Sequence, residues 1–303
     1  MTTLPWDSDR PLDEARVRAL LAARWPDLAR APVRYLAEGW DSQVYEVAGD
    51  WLFRFPKRAE VEAAYVKETA LLAELTLDGV RIPAYERTGA PCDLFPYRFV
   101  GYRKIEGRSA DRVDPLQVPL EPFARQVGRA LTALHAFPAE RARALGVTVD
   151  MESRRLPVIR QRGLARLAQV EPVLGAELTA RVRAALDDPP PEYRGAPVLV
   201  HNDLLDEHLL LDAGHALTGI IDWSDAGLGD PSMDFVGLRL WSGPELVDRA
   251  IAHYGGALGD GARERIRYRA LGVGMNGAVH ALSTGATDDL AWTRRALELT
   301  VSR

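Results

Sequence analysis

The chain has a single cysteine, Cys92, among 303 residues. One thiol cannot close an intramolecular disulfide, and no multi-cysteine zinc site can be assembled from it. Lysine is nearly as scarce: Lys57, Lys67 and Lys104 are the only three, so arginine supplies the rest of the 38 basic residues. Alongside abundant Ala, Leu and Gly, that bias reads as genome composition. The formal charge of −5 removes nucleic acid as the default partner. No apolar run approaches the roughly 20 residues of a membrane span. The opening MTTLPWDSDRPLDEAR lacks a basic n-region and an apolar h-region. These absences together predict a soluble cytoplasmic protein without a membrane partner. A G-x-x-x-x-G-K-[ST] sequence is also missing, which excludes a P-loop enzyme.

What is present is enough apolar material for one two-lobed enzyme or two small domains, with 47% hydrophobic residues and no internal repeat. Leu12 to Leu28 reads as a first helix, with Val17, Leu20, Leu21 and Trp25 on one face. Three short β-like runs follow, 33–36, 42–47 and 51–55, punctuated by Gly39 and by Gly49-Asp50. A helix from about Glu60 to Leu75 and a strand from Tyr97 to Ile105 complete this part. From Leu120 the pattern turns helical, interrupted by strands at 198–202, 209–212 and 217–223. A small antiparallel sheet with one helix, followed by a larger helical part carrying a hairpin, is an α+β arrangement with a boundary near 102–107.

The stretch VLVHNDLLDEHLLLDAGHALTGIIDW is the most informative. An apolar strand runs into His201-Asn202-Asp203, and His208 lies five residues after Asp203. A hairpin closes around Ala213-Gly214-His215 and ends on Ile220-Ile221-Asp222. A hairpin returns its ends to one place, so Asp203, His208 and Asp222 are expected to converge. Phosphoryl transfer needs such a set: a carboxylate to orient the attacking hydroxyl, and ligands that hold Mg²⁺ across the phosphates. His201, at the end of an apolar strand, is read as a structural residue that holds the loop by hydrogen bonds.

Here the sequence resembles the kinase catalytic loop H-x-D-x-x-x-x-N with its downstream metal-binding Asp. It is closer to the aminoglycoside and macrolide phosphotransferase family, whose second Asp lies in I-D-W or I-D-F. The continuation from Trp223 to Asp234 matches that family's I-D-W-x-x-A-x-x-G-D-P-x-x-D pattern. The resemblance implies a two-lobed protein-kinase-like fold: residues 1–102 as a nucleotide-binding lobe, 103–107 as a hinge and 108–303 as the catalytic lobe. It implies Asp203 as the catalytic base, His208 and Asp222 as ligands of Mg²⁺, and ATP or GTP as donor. His208 replaces the commoner Asn, as in some 2″-aminoglycoside and macrolide enzymes. Asp230 before Pro231 reads as a helix N-cap, and Asp234 as a brace for the catalytic-loop backbone.

In the first lobe, Gly39, Asp41 and Ser42 form a turn that could fold over phosphates. Arg54 alternates with Phe53 and Phe55 and so points to the opposite face. On the next helix Glu68 interrupts an apolar stripe of Val61, Ala64, Tyr65, Leu71, Leu72 and Leu75, and a buried carboxylate needs a cation. Arg54 is the expected partner, resembling the strand-lysine to helix-glutamate pair of kinases, with Lys57 as the rival phosphate ligand. In FVGYRKIEG, backbone groups of Arg103, Lys104 and Ile105 are expected at the base edge.

For the acceptor, Asp206, Glu207, Asp225 and Glu245 offer an acidic environment suited to an aminoglycoside. Trp241 is read equally as a substrate wall or as helix core. A macrolide, or a choline, homoserine or sugar acceptor, stays open, as does a nucleotide-binding protein with little turnover. Only eleven residues separate Asp222 from Asp234, too few for a protein kinase's activation segment, and no A-P-E follows. Gly272 to Gly277 matches G-x-G-x-x-G but sits in helical surroundings, so it is rejected as a dinucleotide site.

Overall fold

The computed structural model describes residues 8–149, 155–285 and 287–302. The N-terminal stretch read for a leader lies partly outside these, since residues 1–7 are not described. The chain folds as two units. One runs to Leu75 and resumes over Ile82–Ile105; the other holds Thr76–Arg81 and Glu106 onward.

In the first unit, α1 (Glu14–Arg24) starts at Asp13, whose carboxylate accepts the amide of Arg16 at 2.7 Å. Val17, Leu20 and Leu21 are its buried residues. The helix stops earlier than its apolar pattern, because Pro26 restricts the residue before it, and Pro26–Leu28 becomes a separate 3₁₀ turn. Strands β1 (Val33–Glu38), β2 (Ser42–Val47) and β3 (Trp51–Pro56) form a meander. Ala48 and Gly49, both at positive φ, turn β2 into β3. Helix α2 (Ala59–Leu72) follows, then β4 (Arg87–Gly89) and β5 (Phe99–Arg103), giving a five-stranded antiparallel sheet in the order β1-β2-β3-β5-β4. Tyr45, Phe53, Phe55, Phe95 and Phe99 build the core on one face, with the Phe55 and Phe99 rings stacked at 4.7 Å.

The second unit begins with β6 (Arg108–Ser109), α3 (Leu120–His135) and α4 (Ala139–Ala144). Helices α5 (Leu156–Leu174) and α6 (Ala176–Leu186) come next, then β7 (Val198–Val200), β8 (Leu209–Leu211), β9 (Leu217–Ile220) and β10 (Gly227–Gly229). Strand β7 pairs antiparallel with β10, while β8 lies between β6 and β9. Helices α7 (Val236–Ser242), α8 (Pro244–Ala252), α9 (Ala262–Thr284) and α10 (Thr287–Val301) complete it. Leu167, Val170, Leu186, Leu271, Met275 and Leu297 join α5, α6, α9 and α10 in one core.

Gly272 to Gly277 lies inside α9, as its helical surroundings implied. A Cβ at Gly274 would come within 2.7 Å of Leu297, and one at Gly272 within 3.0 Å of Ile159. These glycines let α10 and α5 approach α9, so their role is packing. No helix among the described residues is long and apolar enough to cross a membrane.

Candidate active site

Strand β7 delivers the chain into the loop His201-Asn202-Asp203, and Asp206–His208 forms a 3₁₀ turn that leads into β8. The β8–β9 hairpin is closed by Asp212, whose carboxylate accepts the amides of Gly214 and Ala216 at 2.8 and 2.9 Å. The amide of Ile221 bonds the carbonyl of His208 at 3.0 Å, which brings Asp222 beside His208. The Nε2 of His208 lies 3.7 Å from Asp222 Oδ2, and its Nδ1 is 2.6 Å from the carbonyl oxygen of Asp203 and 3.9 Å from Asp203 Oδ2. The three residues do converge.

A carbonyl only accepts, so Nδ1 of His208 carries a proton and the lone pair of the neutral ring sits on Nε2, towards Asp222. Burial works against charge on this ring, but the carboxylates of Asp222, Glu207 and Asp203 outweigh it and hold its pKa above the ordinary imidazole value. Asp222 adopts φ +62° and Asn202 φ +72°, left-handed conformations that Asp and Asn reach more easily than bulkier residues.

The loop is fixed from below. Asp234, fully buried, accepts the amide of His201 at 2.9 Å on Oδ2 and that of Asn202 at 2.8 Å on Oδ1. His135 Nε2 reaches Asp234 Oδ2 at 3.0 Å. Burial disfavours this carboxylate's charge, yet these hydrogen bonds and the neighbouring His135 keep its pKa below the usual carboxylate range. His201 donates Nε2–H to the carbonyl of Ile221 at 3.0 Å and packs on Trp223, so its role is structural. Complete burial lowers its pKa. Asp230 caps the turn at Pro231 by accepting the amide of Ser232 at 2.9 Å. Two supports escaped the sequence reading. One is His135. The other is Gly237 on α7, where any Cβ would collide with the carbonyl of Leu204.

In the first unit, Arg54 Nη1 lies 2.9 Å from Glu68 Oε1, with both side chains buried. Tyr85, another residue missed in the sequence, accepts from Arg54 at 2.9 Å and donates to Glu68 at 2.7 Å. Lys57 is buried and holds Glu38 at 2.5 Å and the carbonyl of Gly39 at 3.2 Å. Asp41 accepts from Arg58 at 2.7 Å.

The structure engages several expected site residues in other contacts. The hydroxyl of Ser42 is buried against Tyr65, 2.6 Å from its OH, so its nearest partner is another side chain of the same unit. Lys104 gives its amide to the carbonyl of Asp50 at 2.8 Å and its ammonium to Glu46 at 2.9 Å, so neither serves a base edge. The Arg103 side chain pairs with Asp50 and stacks over Trp51, centroid distance 4.2 Å, and Ile105 is buried. Asp206 is buried beneath Trp292, whose indole donates to it at 3.3 Å, and burial pushes its pKa up to about 6. It is an interior acid, not one presented to a substrate. Trp241 is only 2% exposed and packs edge-on to Phe123, which makes it helix core. Glu245 joins a surface ion cluster with Arg249, and Arg249 with Glu121. Of the acids assigned to the acceptor, Glu207 is exposed, and Asp225 is half-buried, its carbonyl accepting from Asn202 at 3.2 Å.

Asp203 also borders a cavity of about 190 Å³ within the second unit. Among the described residues, no group of three or more His, Cys, Asp or Glu forms a self-sufficient metal site. The Asp222 carboxylate suits a hard cation such as Mg²⁺ that draws its other ligands from phosphate oxygens and water, and the Nε2 lone pair of His208 stands beside it as a softer donor.

A family model described as "Phosphotransferase enzyme family" matches residues 32–269. The fold superimposes with TM-score 0.71 on the GDP and kanamycin complex of an APH(2″) enzyme of type IIIa, at 28% identity, covering 94% of this chain and 97% of that one. For the macrolide 2′-phosphotransferase MphH of Brachybacterium faecium the TM-score is 0.63, at 26% identity over 93% of this chain and 97% of that one. Viomycin phosphotransferase of Streptomyces vinaceus is 32% identical over 120 residues, 39% of this chain and 40% of its own. With the kinase-like fold and a family match over most of its length, the chain belongs to the phosphotransferase enzyme family.

Proposed function

We propose that the protein transfers the γ-phosphate of ATP or GTP to a hydroxyl of a small molecule, with Asp203 as the base. The observation that carries this reading is the convergence of Asp203, His208 and Asp222 at the open end of the β8–β9 hairpin. The hydroxyl oxygen attacks the γ-phosphorus and its proton passes to the Asp203 carboxylate. The bond to the β-phosphate breaks, and the nucleoside diphosphate leaves with its electron pair. Asp222 and His208 would hold Mg²⁺, which when bound neutralises charge on the phosphates.

In the first unit we assign the phosphate-facing cation to Arg54, the strand residue paired with the helix carboxylate Glu68, while Lys57 holds Glu38 and the carbonyl of Gly39. Glu68 and Tyr85 set the guanidinium's position. Gly39 and Asp41 belong to the turn between β1 and β2, which Lys57 and Arg58 hold, and that turn is the candidate cover for the phosphates. At the base edge, the Lys104 amide bonds across to Asp50, and antiparallel ladders alternate. The N–H and C=O of Arg103 therefore point away from β3, which makes its backbone the candidate there. The named relatives favour an antibiotic acceptor, while only Glu207 and Asp225 are left of the acids that would suit an aminoglycoside.

The test is NTP-dependent phosphorylation of a panel of antibiotics and small alcohols by wild type, Asp203→Asn and Asp222→Ala. A positioned base contributes about 10²–10⁴-fold, so Asp203→Asn should lose most turnover and still bind nucleotide. Asp222→Ala should lose the Mg²⁺ dependence of nucleotide affinity. Retention of more than about a tenth of kcat in Asp203→Asn would remove Asp203 from the role.

A further inference from the structure

The cavity beside Asp203 has a chemistry that the acidic residues of the loop do not suggest. Arg162 and Arg166 of α5, Arg269 and Asn276 of α9, Met233 and Asp203 itself contribute to its lining. Its volume, about 190 Å³, falls below the roughly 300–1,000 Å³ of pockets that take drug-sized ligands.

The charges around it are unbalanced. Arg162 and Arg166 stand four residues apart, so they share a face of α5 and repel one another. No acidic residue lies three or four positions from either. Arg166 donates to the neutral side-chain oxygen of Asn276. Arg162 is exposed and makes no side-chain hydrogen bond or ion pair among the described residues. Arg269, only 4% exposed, bonds Asp230 at 2.7 Å and Ser232 at 2.8 Å. Asp230 is already shared with Arg265 at 2.7 Å, and the buried Nε of Arg269 has no hydrogen-bond partner. Buried donors are almost always satisfied, and one that is not calls for an explanation.

We propose that this cavity seats the acceptor, and that the acceptor is a small alcohol bearing an oxyanion, a carboxylate or a phosphate. Arg162 and Arg166 hold the oxyanion, and the hydroxyl turns towards Asp203. Guanidinium forks match either group through paired, charge-assisted hydrogen bonds. A polycation in the same place would meet like charge. The inference rests on Asp203 being the base, since that fixes where the hydroxyl must lie.

Glycerol 3-phosphate and glycerate serve as oxyanion probes, glycerol as their neutral counterpart and kanamycin as a polycation. Calorimetry on the full chain should give measurable affinity for at least one oxyanion and weaker binding of glycerol and kanamycin. The Arg162→Ala/Arg166→Ala double variant should weaken that oxyanion by roughly tenfold or more. Arg162→Lys keeps the charge without the fork, should lose part of the affinity, and serves if the double variant does not fold. The better of the two oxyanions identifies the group. The proposal is overturned if neither oxyanion binds, if the arginine variants leave its affinity unchanged, or if kanamycin binds more tightly than both. Turnover is read separately with Asp203→Asn. Kanamycin phosphorylation that depends on Asp203 would sink the oxyanion pocket and keep the phosphotransferase reading. Arginine-dependent oxyanion binding without transfer to any acceptor would do the reverse.

Discussion

Asp234 stands 32 residues beyond Asn202 in the sequence, yet its carboxylate accepts the Asn202 amide at 2.8 Å. Its other oxygen takes the His201 amide at 2.9 Å, so one side chain fixes two consecutive peptides of the loop that ends in Asp203. Asn202 is held at φ +72° by this grip, a conformation that isolated loops adopt rarely. Asp234→Asn replaces one acceptor by an NH₂ group facing an amide donor in the interior. Leaving buried donors unanswered costs about 1–3 kcal/mol each. The variant should unfold at lower temperature and lose kcat more than it loses nucleotide affinity. A normal melting temperature with normal kcat would show that the loop keeps its shape without the brace.

The pair Arg54–Glu68 is the corresponding anchor of the first unit, tied by Tyr85 into a closed triangle of hydrogen bonds. Removing one member of a buried ion pair can cost about 3–5 kcal/mol because the other is left uncompensated. Arg54→Met and Glu68→Gln should each destabilise the protein, and the double variant should be milder than their sum. Coupling of roughly 0.5–3 kcal/mol is expected from a double-mutant cycle on stability. Additive effects would mean that the contact contributes nothing specific.

The Arg54–Glu68 pair and the convergence at the β8–β9 hairpin are both legible in the sequence, for different reasons. Glu68 betrayed itself as a carboxylate within an apolar helical stripe, and the needed cation lay on the preceding strand. Asp203, His208 and Asp222 are close in sequence and joined by a hairpin, so local chain geometry suffices to unite them. Asp206 is not legible as an interior acid, and Trp241 stays open between two readings, because their burial is decided by distant partners, Trp292 and Phe123, which no local pattern reveals. Ser42 shares the less buried face of β2 with Val44 and Glu46, and the Tyr65 that covers it lies 23 residues away on α2, beyond the reach of alternation. The arginines of α5 were absorbed into a compositional bias. A sharper signal was available in Arg162 and Arg166, like charges at i,i+4 with no acid within reach.

Asp206 supplies a stability test that does not involve turnover. It is 2% exposed, and burial raises its pKa from 3.8 to about 6. The folded state therefore binds this proton more tightly than the unfolded chain. The associated stability is fully present below about pH 4 and is lost as pH rises through 6. Two pKa units correspond to about 3 kcal/mol. Asp206→Asn removes the charge and keeps an oxygen for the Trp292 indole. In metal-free, nucleotide-free protein it should be more stable than wild type at pH 8, with the advantage vanishing near pH 4. Parallel stability–pH curves for the two proteins would dismiss this account of the buried acid.

His208 is the least conventional member of the site, and its titration is open to measurement. Imidazole binds a metal only when neutral. Burial favours the neutral ring, but Asp222, Glu207 and Asp203 favour the cation more, so the pKa lies above the ordinary value of about 6.5. Before nucleotide arrives, protons therefore compete with the cation at a pH nearer neutrality than a free histidine would allow. The acid-side fall in kcat/KM should begin above pH 6.5 and shift downwards as Mg²⁺ is raised, because metal and proton exclude each other from Nε2. In His208→Asn the side-chain oxygen has no proton to displace. That variant should keep substantial activity, lose part of the acid-side decline, and show less dependence of the decline on Mg²⁺ concentration. The two enzymes differ at one side chain only, so the difference between the profiles isolates the ring. Superimposable pH–kcat/KM profiles at low and high Mg²⁺ would remove His208 from the metal's ligands.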